Sequence, residues 1–167
     1  MSQGINNEDT FFKVIDKYKS IFIKISNAYA KNNFEKEELI NDMIFEVWKS
    51  HDNFRGESKF STWLYRVAVN TAMNHARRKK YRFLSLTDYP VSMGDELKVI
   101  EYEKNTEVEI LYYCIEQLNN KDKALIILYL EGLTHNEISE ITGVTKTNVG
   151  TRIQRIKEKL KKIAKDI

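Results

Sequence analysis

The chain is poor in residues that cross-link or interrupt a polypeptide. It has one cysteine, one proline and six glycines among 167 residues. A single cysteine excludes an internal disulfide and fits a reducing compartment. We expect Cys114 to be a small buried side chain on a helix. Because 42% of the residues are hydrophobic, the fold should be held by packed apolar side chains.

Signals for membranes, metals and catalysis are also missing. No stretch approaches the ~20 apolar residues of a membrane span, and the start, MSQGINNEDT, lacks the apolar core of a signal peptide. We therefore expect a cytoplasmic protein without direct membrane insertion. His51, His75 and His135 have no metal-ligand spacing with the lone cysteine. Phosphate loops and nucleophile elbows are absent, so we expect no metal, no cofactor, no catalytic residue and no enzyme.

Charge is arranged in blocks along the chain. Residues 58–87 contain seven Lys/Arg and no acid. Residues 88–109 hold seven acids against two lysines, a balance of −5, and residues 145–167 hold eight Lys/Arg against two acids, a balance of +6. Basic blocks of this kind point to two separate nucleic-acid surfaces.

Apolar residues recur at helical spacing almost throughout, which predicts an all-α fold. The predicted helices lie near 9–31, 35–50, 58–81, 106–118, 121–131, 134–141 and 145–165. The first should bury the stripe Phe12, Ile15, Tyr18, Phe22, Ile25 and Tyr29. The second should bury Leu39, Ile40, Met43, Ile44, Val47 and Trp48.

Periodicity fades between 85 and 105, where Pro90 and Gly94 lie among acids. This segment is predicted to be a flexible acidic linker. The chain then divides into two small helical domains, 1–84 and 106–167.

The second domain has the pattern of a helix-turn-helix. Gly143 can take the left-handed conformation that a tight turn between helices needs. The helix after it carries inward apolar residues and an outward polar face made of Lys146, Thr147, Asn148, Thr151, Arg152 and Arg155. These residue types suit phosphate anchoring and base-edge hydrogen bonding. The alternative is an ordinary solvated amphipathic helix.

The basic block of the first domain is mixed with aromatic residues. Arg66, Asn70, Asn74 and Arg77 recur at spacings of three or four, so they share one helical face. Phe54, Arg55, Lys59 and Phe60 precede that helix in a loop able to surround an extruded base, on which rings can stack. For Phe60 and Trp63 the alternative is core packing, and for Arg77, Arg78 and the lysines after them it is a solvated helix end.

Three stretches in this order resemble the extracytoplasmic-function (ECF) group of bacterial RNA polymerase sigma factors. They are EELINDMIFEVWKS, FRGESKFSTWLYRVAVNTAMNHARRKK and LNNKDKALIILYLEGLTHNEISEITGVTKTNVGTRIQRIKEKL. The resemblance runs from about Tyr18 to Leu160. It implies a region two-like first domain and a region four-like second domain.

The resemblance also implies roles for residues. Glu38, Asn41 and Asp42 match the helix that docks on core RNA polymerase. The stretch from Phe54 to Phe60 matches the loop that captures a flipped base of the minus-ten element, and the helix from Trp63 to Arg78 matches the one that reads and melts it. Lys146 to Arg155 match the helix that reads the minus-thirty-five element. Gly150 stands where a larger residue is usual, and it either lets the backbone approach DNA or removes one contact.

The implied function is promoter-specific initiation on core RNA polymerase, with an anti-sigma factor as a further partner and a monomer when free. The linker's acids would mimic nucleic acid in the polymerase's RNA exit path. Two rivals stay open: a dimeric helix-turn-helix regulator that binds operators without polymerase, and a protein-interaction module for an acidic partner. Copurification with core polymerase and run-off transcription distinguish the three.

Overall fold

The computed structural model describes residues 8–86 and 107–167, and the side chains of 9–81 and 107–167. These ranges hold seven α-helices and no strand, which confirms the all-α fold. The helices are α1 (Glu8–Tyr29), α2 (Asn33–Ser50), α3 (Phe60–Leu86), α4 (Glu107–Glu116), α5 (Asn120–Leu130), α6 (His135–Thr142) and α7 (Lys146–Lys165), with a 3-10 turn at His51–Asn53. The predicted linker lies outside the described residues, apart from positions 85 and 86, which end α3. The domain boundaries stay predictions.

Helices α1, α2 and α3 pack against one another to form the first unit. Asn32 starts α2 because its side-chain oxygen accepts a hydrogen bond from the Glu35 amide at 2.8 Å. The central side chains are fully buried and apolar: Phe22, Ile25, Leu39, Met43, Val47, Leu64 and Val69.

Two residues of the predicted stripes lie elsewhere. Phe12 is 63% exposed, and its neighbour Phe11 is buried in its place. Trp48 is also largely outside the core, at 37% exposure, and its ring meets the Phe11 ring edge-on at 4.7 Å. The prediction for Phe12 was wrong because one residue turns a helix by 100°, and two adjacent phenylalanines fit the same spacing.

The second unit, α4 to α7, contains the predicted helix-turn-helix. Thr134 and Glu137 form a reciprocal capping box at the start of α6. The main-chain amide and hydroxyl of Thr134 and the Lys59 ammonium hydrogen-bond this carboxylate and lower the pKa of Glu137. Gly143 ends α6 with φ +72°, the left-handed conformation expected of it. Helix α7 then buries Val149, Ile153 and Ile156.

The two units are packed together. Helix α1 contacts α4 and α5, and α3 contacts α5 and α6. Helix α5 lies between the first unit and α6–α7, and its residues Lys123–Leu128 are all buried. A helix buried on every side needs apolar residues on every side, and α5 meets that need with the run ALIIL. The cores of both units form one continuous cluster.

Candidate nucleic-acid interface

Three aromatic rings gather where the loop 54–59 meets α3. The ring centroids of Phe54, Phe60 and Trp63 lie 5.4 Å apart in each pairing. All three rings are half-buried, and Phe60 and Trp63 lean on the core. Sequence alone left stacking and core packing open for Phe60 and Trp63. In the structure each ring is packed against the other two and stays partly accessible.

The polar residues predicted to share one face of α3 do share it. Arg66, Asn70, Asn74 and Arg77 are exposed, as is Arg78 beside them. In the loop before the helix, Arg55 and Lys59 are also exposed. Gly56 has φ +73°, a conformation that suits glycine and bends the loop. The result is a surface about 17 Å long, because the 11 steps from Arg66 to Arg77 rise about 1.5 Å each.

The acidic positions of α2 lie beside this surface. Glu38 and Asn41 are exposed and Asp42 is half-buried. His75 of α3 stands between the two carboxylates, with its Nδ1 3.2 Å from Asp42 Oδ2 and its Nε2 4.0 Å from Glu38 Oε2. Sequence reasoning missed His75, since 33 residues separate it from Asp42 and no local pattern links them.

Five of the six residues predicted for the polar face of α7 lie on its exposed side. Lys146, Thr147, Asn148, Thr151 and Arg155 are all exposed. Arg152 is turned toward α5, where its Nη2 donates to Asp122 Oδ1 at 2.6 Å. Arg152 is thus only partly on the outward face, with its side chain 31% exposed and paired with a carboxylate that is 18% exposed, and its role in DNA reading stays a prediction.

The start of α7 is suited to anions. Thr145 caps the helix by accepting a hydrogen bond from the Asn148 amide at 3.4 Å. The first turn of α7 contains no acid, whereas those of α2, α5 and α6 each contain one. The positive end of the helix dipole at α7 thus stays uncompensated, and phosphate groups bind at such ends.

Gly150 faces the fold instead of the exposed surface. A Cβ added there would lie 3.3 Å from Cε1 and 3.5 Å from Nδ1 of His135 in α6. The glycine therefore makes room for the His135 ring at the crossing of α6 and α7. This contact accounts for its small size without any approach of the backbone to DNA.

Comparison with known proteins identifies both units. The model of Sigma-70 region 2 matches residues 14–82, and that of Sigma-70, region 4, matches residues 109–160. The ECF RNA polymerase sigma factor SigW of Bacillus subtilis is 29% identical over 175 aligned residues, covering 96% of this chain and 92% of that protein. The ECF RNA polymerase sigma-E factor of Haemophilus influenzae is 29% identical over 163 aligned residues, covering 91% of this chain and 86% of that protein.

Two solved structures share the fold. CnrH in complex with the cytosolic domain of CnrY has a TM-score of 0.68 at 16% identity, over 96% of this chain and 91% of that one. The sigma factor RpoE of Bartonella quintana, in complex with the anti-sigma factor NepR, has a TM-score of 0.72 at 17% identity. The match covers 93% of this chain and 96% of that one. At such low identity the likeness speaks for the fold alone.

The fold and its surfaces define an all-helical transcription factor with a helix-turn-helix and a second basic face. The matched regions and the relatives that span nearly the whole chain narrow this class further. The chain belongs to the sigma-70 family of RNA polymerase sigma factors, in its ECF group, and is a promoter-directing initiation factor. Among residues 8–86 and 107–167, no helix has the length and apolar character to cross a membrane.

Proposed function

We propose that α3 and the loop before it open the minus-ten element and hold its non-template strand. The observation that carries this proposal is the exposed, acid-free face of Arg66, Asn70, Asn74 and Arg77 next to three half-buried rings. Cationic and amide side chains bind phosphates and base edges, and ring faces accept unstacked bases. Extruding a base costs a few kcal/mol, and each stacked base returns ~1–3 kcal/mol.

The exposed face of α2 is proposed to dock on core polymerase through Glu38, Asn41 and Asp42. Two acids and an amide on one helical face suit a basic partner surface. His75 holds the Asp42 carboxylate toward α3, so the docking face and the strand-holding face are carried by directly contacting helices. Docking would then place α3 at a fixed position relative to the polymerase.

Helix α7 is proposed to read the minus-thirty-five element as duplex. Lys146, Thr147 and Asn148 stand in its first turn, which contains no acid, and Thr151 and Arg155 continue the exposed face. Helix-turn-helix proteins insert this second helix into the major groove. We exclude Arg152 from the reading set because Asp122 already engages it.

The protein is proposed to carry no catalytic group of its own, since every assigned residue binds and orients DNA or polymerase. One structural neighbour, the sigma factor RpoE, is in complex with the anti-sigma factor NepR, and we propose an anti-sigma partner here as well. We further propose that the free protein is a cytoplasmic monomer.

Run-off transcription on a promoter library tests the main proposal. Sigma-free core polymerase should acquire defined start sites when the purified chain is added, and the chain should copurify with core. A matched control is Lys161→Ala, an exposed change on α7 beyond the proposed reading residues. If no start-site choice appears, the proposed function is wrong.

A further inference from the structure

A cleft of about 550 Å³ lies where the first unit meets the turn between α5 and α6. One wall is formed by Tyr18, Ser20 and Ile21 of α1, and a second by the first turns of α3. The turn 131–134 and Glu137 of α6 line the third side. Ligand pockets of proteins have volumes of about 300–1,000 Å³ and often lie between structural units. The cleft is therefore large enough to hold a small molecule.

A buried threonine at this cleft has an unengaged hydroxyl. Thr62 lines the cleft and is only 3% exposed. Its hydroxyl makes no hydrogen bond within the parts of the chain that the structure describes. Thr71, the other buried threonine of α3, donates to the main-chain oxygen of Val67 at 2.8 Å. Because an unpaired polar group in a buried position is unfavourable, a ligand that bonds the Thr62 hydroxyl would gain affinity.

Three further hydroxyls border the same cleft. They belong to Tyr18, Ser20 and Ser61, and none of them has a hydrogen-bond partner among the described residues. Ser20 is exposed, whereas Tyr18 and Ser61 are half-buried. A hydroxyl both donates and accepts hydrogen bonds. Four such groups around one cleft suit a ligand that has several hydroxyls of its own.

The charged groups of the cleft are already paired. Glu131 contacts the Lys24 ammonium and accepts a hydrogen bond from the Tyr65 hydroxyl, both at 2.7 Å. Glu137 Oε1 lies 3.2 Å from Lys59 Nζ. An anionic ligand would face two carboxylates, and a cationic ligand would compete with an ammonium that is already in place. The cleft therefore discriminates against charged ligands and favours a neutral one.

The cleft also has an apolar part. Ile21 is buried, and Leu133 and the Tyr18 ring are half-buried beside it. Binding sites for small molecules combine such apolar lining with a few well-placed polar groups. A sugar ring has the complementary character, because its C–H faces are apolar and its rim carries hydroxyls.

We propose that this cleft binds a neutral polyhydroxylated compound, of the size of a mono- or disaccharide, with the Thr62 hydroxyl as its buried hydrogen-bonding anchor. Lys59, at the edge of the cleft, is the one member of the proposed promoter-binding sets that lines it. The site does not depend on the function proposed above, since Thr62 and the other hydroxyl groups have no part in it.

An NMR titration of the full chain tests the proposal. The neutral probes are D-glucose and maltose, and the charged counterparts are glucuronate and glucosamine. We expect saturable chemical-shift changes at residues that line the cleft with the neutral sugars, and weaker binding of both charged ones. Thermal stability alone would be a poor measure, because sugars stabilise proteins by exclusion from the surface without binding to a site.

Thr62→Val removes the anchoring hydroxyl and keeps the shape of the side chain. We expect it to bind the neutral sugars about tenfold more weakly than the wild type, since one hydrogen bond is lost. Without sugar it should be at least as stable to urea as the wild type, because the wild-type hydroxyl is buried without a partner. Thr62→Ser keeps the hydroxyl and should retain binding. The matched control is Thr71→Val, the same change at a buried threonine away from the cleft, and it should bind as the wild type does.

Several outcomes would overturn the proposal. Shift changes that never saturate would show only solvent effects of the sugars. Tighter binding of glucuronate or glucosamine would show that the cleft selects charge. Equal binding by Thr62→Val and the wild type would place the sugar elsewhere, and a marked loss of stability in Thr62→Val without sugar would show that the hydroxyl serves the fold. Promoter-directed transcription is measured separately, so its failure would leave the sugar site standing.

Discussion

The two basic helices, α3 and α7, differ in the residues that lie beside their basic side chains. Helix α3 begins with Phe60 and Trp63 and follows a loop that contributes Phe54. Helix α7 contains no aromatic residue and begins at a turn built for a helix-turn-helix. Charge alone binds phosphates of any nucleic acid. We therefore expect the rings beside α3 to favour an unpaired strand, and the turn before α7 to present a helix to a duplex.

The two helices also share a feature, since each has an arginine drawn into contacts within the protein. Arg66 of α3 reaches across to α6, and Arg152 of α7 reaches to α5. Arg66 stays exposed and bonds a neutral carbonyl, whereas Arg152 pairs with a carboxylate that is mostly buried. We therefore expect Arg66 to be released to DNA more easily than Arg152, whose ion pair connects α7 to α5.

The largest expected effect concerns strand opening. Replacing Arg66 and Asn70 together with alanine should reduce open-complex formation by about thirtyfold or more, because two contacts of ~1–3 kcal/mol each sum to at least ~2 kcal/mol. Closed-complex formation should change far less. Permanganate footprinting of the opened region measures the first quantity and gel-shift titration of the holoenzyme the second. An unaltered footprint would remove this face of α3 from the opening step.

The contrasting variant is Arg155→Ala in α7. It should weaken closed-complex formation and reduce the salt dependence of binding by about one phosphate contact, while open complexes, once formed, keep a normal footprint. Lys161→Ala is the matched control on the same helix. If Arg155→Ala impaired opening and spared initial binding, the division of labour between α3 and α7 would be wrong.

Several features of the second unit could be predicted from local sequence patterns alone. The left-handed Gly143 and the inward Val149, Ile153 and Ile156 were predicted correctly, because a turn residue and a 3.6-residue period depend only on neighbours in the chain. The contact of Arg152 with Asp122 was not predicted, because the two residues lie 30 positions apart in the chain. Spacing along a helix shows which residues share a face. It does not show which of them will contact a carboxylate on another helix.

The sequence contains one indication that the two units pack together, although an analysis of helical periodicity does not detect it. The run ALIIL in α5 is apolar in five successive positions, 124–128, so no single buried stripe accounts for it. Such a run predicts contacts on all sides of a helix, and the first unit supplies one of them. Which surface would cover α5 depends on tertiary contacts from α1 and α3, which no local pattern contains.

A stability measurement distinguishes the structural role of Arg152 from the exposed position of Arg155. Arg152→Ala should lower the free energy of unfolding by about 1 kcal/mol, because it leaves the Asp122 carboxylate without its guanidinium partner. Arg155→Ala, at an exposed position, should change it by less than about 0.5 kcal/mol. Urea denaturation followed by circular dichroism measures both. Equal stability of the two variants would return Arg152 to the DNA-facing set.

The smallest effect tests why α7 contains a glycine. Alanine is more favourable than glycine in a helix interior by about 1 kcal/mol, but a Cβ at Gly150 meets the His135 ring at 3.3 Å. Gly150→Ala alone should therefore gain little, because the ring must shift. In a His135→Ala background the same change should gain the full ~1 kcal/mol. Unfolding of the four proteins of this cycle gives the coupling, and equal gains in both backgrounds would show that the ring does not set the size of residue 150.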